Sequence, residues 1–127
     1  MNKRSVQTGG APRPLARYSQ GLRVGDTLYM QGMIALDPAT GKMIEGGIEA
    51  EAKRVFESIR AVLAEEGMTL DNVVKVVAYV ADLGEYAAFN EIYNAHFPND
   101  PAPVRTTVQA ALPLGARVEV EVIASAG

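Results

Sequence analysis

The chain has no cysteine and no tryptophan, and only one histidine, His96. Without thiols it has no sulfur nucleophile, no disulfide and no sulfur-ligated metal; this suits a reducing compartment. With a single imidazole, no two-histidine metal site can form within one chain, and a serine–histidine–aspartate relay would have to use His96. Long apolar runs are also missing. The opening "MNKRSVQTGGAPRP" lacks the apolar core of a signal peptide, and no later stretch has the length of a membrane span, so a cytoplasmic protein with no membrane partner is expected. Lysines and arginines are outnumbered: 12 against 15 acidic residues give a net charge of −3. They form no basic patch, which argues against nucleic acid as a partner.

What is present is ordinary globular material. The 127 residues, 48% hydrophobic and 21% charged, suit a single domain spanning 1–127. Gly9–Pro14 reads as a loop by composition. Gly25-Asp26 separates two short β-like runs and predicts a hairpin whose second strand ends near Gly32. Glu49–Glu66 carries Ala52, Val55, Phe56, Ile59, Val62 and Leu63 at steps of three and four, the signature of a helix with one apolar face. Gly67 suits the left-handed position after it, and the helix charges (Glu49, Glu51, Lys53, Arg54, Glu57, Arg60) read as its solvated side. Val73–Val80 is a β-branched run suited to an interior strand. Asp82 and Glu85 have the spacing of a capping box opening a second helix, with Tyr86, Phe89, Tyr93 and Phe97 as its core face. Two strands, "VRTTVQA" and "RVEVEVIA", close the chain. The order strand, strand, helix, strand, helix, strand, strand predicts one mixed sheet with both helices on one face. The other face is then bare, which predicts an oligomer.

The polar residues of the last two strands admit two readings. Strand alternation puts Arg105, Thr107 and Gln109 on one face and Val104, Thr106 and Val108 on the other. It likewise groups Arg117, Glu119, Glu121 and Ile123 against Val118, Val120 and Val122. These charges either pair across neighbouring strands on a wetted face, or act chemically. In the second case the planar Arg105 fork grips a carboxylate, while Glu119 orients water or carries a proton. Tyr18 is a packing residue with a wet tip or a pocket wall. Asn90 is an exposed helix residue or an interface hydrogen-bonder, and His96 reads as a structural residue at a helix end. Gly46-Gly47 lacks the spacing of a phosphate loop, so no nucleotide site is expected.

Taken in order, "YSQG", "GDTLYMQGMIALDPATG", the helix from Glu49, "VVKVVAYVADLGEYAAFNEIYNAHFP", "PAPVRTTV" and "LPLGARVEVEVIA" resemble the Rid family, the YjgF or reactive-intermediate imine/enamine deaminases. The resemblance covers nearly the whole chain. It implies an α+β, chorismate-mutase-like fold with a single mixed sheet and two helices on one face. It also implies a homotrimer with active sites at the subunit interfaces. The implied activity is cofactor-independent, metal-free hydrolysis of small 2-imino or 2-enamino acids, such as 2-aminoacrylate and 2-iminopropanoate, to 2-oxo acids and ammonia. In that family the arginine matching Arg105 grips the substrate carboxylate and the glutamate matching Glu119 positions or activates water. The residues matching Tyr18, Gly32, Thr107 and, in a supporting role, Asn90 contact substrate. The chain departs from the family in carrying Ala16-Arg17 where Gly-Pro is common, and Gln31-Gly32-Met33 where Ser-Gly-Gln is common. The second departure alters pocket size and polarity, which leaves open a larger substrate such as 2-aminomuconate, or a non-catalytic 2-oxo-acid binder.

Overall fold

The computed structural model describes residues 2–127. Six strands form one sheet: β1 (Lys3–Val6), β2 (Gly21–Val24), β3 (Thr27–Met30), β4 (Val73–Val80), β5 (Val104–Gln109) and β6 (Val118–Ser125). Their spatial order is β1-β2-β3-β6-β4-β5, with β4 and β5 parallel and all other neighbours antiparallel. Two helices, α1 (Gly47–Glu65) and α2 (Tyr86–His96), pack on one face, as the element order predicts.

The apolar stripe of α1 forms the core. Ala52, Val55, Phe56, Ile59, Val62 and Leu63 are fully buried against Val76, Ala78 and Val80 of β4 and Val118, Val120 and Val122 of β6. Gly67 takes φ +68, the conformation that lets the chain leave the helix without Cβ strain. Gly25, at φ +58, makes the β2–β3 turn, and β3 ends at Met30. The chain then bridges to β6 through Met33 N–H donating to Val120 O at 2.8 Å.

Several expectations need correction. The strand β1 was not foreseen; only Val6 of it is buried, and Arg4 ties it to α1 through Glu66 at 2.6 Å. Asp82 does cap, accepting from Gly84 N–H at 2.8 Å, but it caps a 3-10 turn, Leu83–Glu85, and α2 begins only at Tyr86. Glu85 does not close a capping box; its carboxylate pairs with Arg117 at 3.1 Å. Tyr86 is exposed rather than core, while Phe89 and Tyr93 are buried. Glu51 is buried, not solvated, because its carboxylate accepts the Arg117 backbone N–H at 2.9 Å. In line with the structural reading of His96, its Nδ1 lies 2.8 Å from Ile92 O and its ring 4.9 Å from that of Phe56.

The bare face is partly apolar. Val104 of the edge strand β5 is 67% exposed, and Tyr29 and Val108 are also exposed. Val77 and Tyr79 of β4 are half-buried on the same side. No helix among the described residues is long and apolar enough to cross a membrane.

Candidate functional site

The topology settles one of the open readings. β4 lies between β5 and β6, so the charges of the last two strands cannot pair across neighbouring strands. Arg105 stands opposite Val76, on the helix-covered face, whereas Glu119 stands opposite Tyr79, on the bare face. Within one chain the two residues therefore lie on opposite sides of the sheet.

Around Glu119 the chain builds a cleft of about 370 Å³, lined mainly by apolar side chains, with Tyr18, Gly32, Met33 and Leu15 in its wall. The carboxylate lies directly against the Gly32 backbone, where a Cβ would collide with it. Glycine there lets the carboxylate approach the backbone this closely. Burial, and secondarily the Glu121 charge, push the Glu119 carboxyl above the ordinary glutamate range. The loop forming the opposite wall is held by Gln20, which is buried. Its amide accepts from Thr8 N–H at 2.7 Å and donates to Thr8 O, Ala11 O and Pro12 O at 3.2, 3.2 and 2.9 Å. Gln20 was not singled out from sequence, although it is the third residue of "YSQG". Tyr18 is exposed at the cleft mouth and its hydroxyl accepts from Leu15 N–H at 3.1 Å. Gln31 also lines the cleft, making only long contacts of 3.4 Å to Pro12 O and Met33 Sδ.

Arg105, Thr107 and Asn90 belong to a second cluster. The guanidinium lies 4.5 Å from the Tyr93 ring centroid and 5.6 Å from that of Tyr86, and donates to the Tyr86 hydroxyl at 2.7 Å. Cation–π stacking and this hydrogen bond orient the plane of the fork. The neighbouring Asn90 amide and the Arg105 charge hold the Tyr86 hydroxyl below the usual phenol range. Thr107 shares the face of Arg105 by strand alternation. The Asn90 Oδ1 and Thr107 Oγ1 atoms are buried without hydrogen-bond partners. Buried polar atoms of this kind are uncommon in native folds and are normally satisfied. Among the described residues no three acidic, histidine or cysteine side chains gather in a metal-binding geometry.

One chain thus presents two separate clusters: Tyr18, Gly32 and Glu119 around a cleft, and Arg105 and Thr107 of the outermost strand beside Asn90 of α2.

Comparison with known proteins fits this arrangement to a family. The family described as Endoribonuclease L-PSP matches residues 8–126. A RutC family protein of Pyrococcus abyssi is 40% identical over 125 residues, covering 98% of each chain. A mouse protein named 2-iminobutanoate/2-iminopropanoate deaminase is 37% identical, covering 98% of this chain and 93% of its own. The solved structure of the Rid-family protein YyfA of Yersinia pestis superposes with a TM-score of 0.94 at 37% identity, covering 98% of this chain and 99% of its own. The strand order, the two helices and these likenesses lead to one conclusion: the chain belongs to the Rid (YjgF) family.

Proposed function

We propose that the protein is a homotrimeric deaminase that hydrolyses small 2-imino or 2-enamino acids to 2-oxo acids and ammonia. The observation that carries this reading is the Glu119 carboxylate, held against Gly32 in a largely apolar cleft with its proton affinity raised. A carboxyl group that holds its proton more tightly than usual suits proton donation to a reacting nitrogen.

The substrate's carboxylate needs a planar cation to grip it, and the cleft's own chain contributes Arg13 to the wall. Arg105, on the edge strand, is the cation that a neighbouring protomer supplies in this proposal. Trimer assembly joins the Arg105 half-site of one protomer to the Glu119 half-site of the next. The unpartnered Asn90 and Thr107 atoms then meet polar atoms of the bound acid.

In the reaction a water oxygen bonds to the imine carbon and the C=N π pair moves to nitrogen. Nitrogen takes the Glu119 proton, and the carboxylate recovers one from the added water. The remaining hydroxyl proton passes to nitrogen, the C–N bond breaks, the C=O bond forms and ammonia departs. Orientation by Arg105 and proton transfer by Glu119 are the only catalytic demands, the latter contributing about 10²–10⁴-fold. The family's descriptive name suggests RNA cleavage, but a net charge of −3 and a single half-buried histidine favour an anionic small molecule over a polyanion.

The test is release of oxo acid from 2-iminopropanoate generated in situ by an amino-acid oxidase. Arg105→Ala should abolish acceleration chiefly through lost binding, and Glu119→Gln should lower kcat more than KM. Wild-type rates in both variants would refute the assignment.

A further inference from the structure

Glu119 has a carboxylate neighbour that the reaction above does not use. Glu121 lies two residues along β6 on the same face, so the two carboxylates project side by side. They are not equivalent. Tyr79 of β4, directly opposite Glu119 in the sheet register, donates its hydroxyl to Glu121 Oε1 at 2.7 Å. Among the described residues no donor comparably holds Glu119; its surroundings are the Gly32 backbone and the cleft. A hydrogen bond fixes where a carboxylate sits, and a negative charge held beside a second carboxyl group favours the protonated form of that group.

We infer that Tyr79 and Glu121 are positioning residues: Tyr79 holds the Glu121 carboxylate on the face of Glu119, and that neighbouring charge helps keep the Glu119 proton in place. The other charged and titratable groups facing this pair are few. Arg13 and Tyr18 line the same cleft as Glu119. Tyr29 of β3 and Lys75 of β4 flank Ile123, one step further along the face than Glu121. Arg117, two residues before Glu119, is already paired with Glu85 at 3.1 Å and lies 3.9 Å from Glu51. None of these neighbours replaces the Tyr79 hydrogen bond in distinguishing Glu121 from Glu119. The like charge of Glu121 acts in the same direction as burial on the Glu119 carboxyl, and the Glu121 bond raises the Tyr79 phenol in turn.

The inference rests on the deaminase reading only for the use made of the proton, so its test has a readout independent of turnover. Carboxyl-carbon NMR titration of the wild-type protein should find Glu119 releasing its proton above the ordinary glutamate range. In Glu121→Gln, an isosteric change on a half-buried face, the Glu119 titration should move to lower pH. In Tyr79→Phe, which frees the Glu121 carboxylate from its tether, the Glu119 titration should also move to lower pH. A Glu119 titration identical in the wild type and both variants would overturn the inference, whatever the imino-acid assay gives. Where the wild type does turn over imino acid, the high-pH fall in kcat should move to lower pH in Glu121→Gln and stay near its wild-type position in Glu121→Asp. A uniform loss of rate with an unmoved profile would mark Glu121 as merely structural and overturn the inference. Absence of turnover in the wild type, with the NMR shifts as stated, would refute the deaminase reading and leave the carboxylate pair standing.

Discussion

Glu119 shows how a single residue trades stability for chemistry. Its folded-state pKa lies above its unfolded value, because burial and the Glu121 charge disfavour the anion. The folded protein therefore holds a proton that the unfolded chain releases, and stability is lost as pH rises from the ordinary glutamate range through the raised value. Glu119→Gln is accordingly expected to unfold at the same temperature as wild type in acid, and at a higher temperature at neutral pH. A calorimetric comparison at the two pH values checks this. Glu66 is the opposite case: the Arg4 hydrogen bond holds its pKa down, so the tie between α1 and β1 weakens as pH falls through that lowered value. Arg105 and Glu119 could be picked out in the sequence because a guanidinium and alternating acids are unusual in strands. The roles of Tyr79 and Tyr86 could not, since each depends on a partner 42 or 19 residues away.

At the scale of elements, α1 was the most legible part because its apolar residues recur at helical spacing and all face the sheet. Phe56 is the centre of that packing, fully buried with the rings of Phe89 and Tyr93 each 6.1 Å away and that of Phe97 at 5.7 Å. Phe56→Ala should cost about 3–5 kcal/mol of unfolding free energy, measurable by urea titration, with substrate contacts untouched. β1 escaped notice because "KRSV" buries one side chain in four and so carries no alternation. Its place is set by backbone pairing with β2 and by the Arg4–Glu66 bond. The start of α2 was displaced for a related reason. Asp82 satisfies a local turn, and Glu85, which the capping pattern assigned to the helix end, finds a stronger partner in Arg117.

For the whole molecule, the sequence order fixed the layers but not which strands are neighbours. The connection "AALPLGA" is long enough for β6 to lie on the far side of β4 rather than beside β5, and the registers on the two sides of β4 put Arg105 and Glu119 on opposite faces. The exposed Val104, Val108 and Tyr29 on the bare face are the apolar surface that an assembly would cover. A solution mass of three times the 13.5 kDa protomer is expected, falling toward the monomer in Val104→Glu. The most direct trial of the account is to mix Arg105→Ala protein with Glu119→Gln protein, allow subunits to exchange, and measure oxo-acid release from 2-iminopropanoate. If each site takes its arginine from one protomer and its glutamate from another, the two inactive variants should regain about a quarter of wild-type activity on equal random mixing. No recovery, with exchange demonstrated, would contradict it.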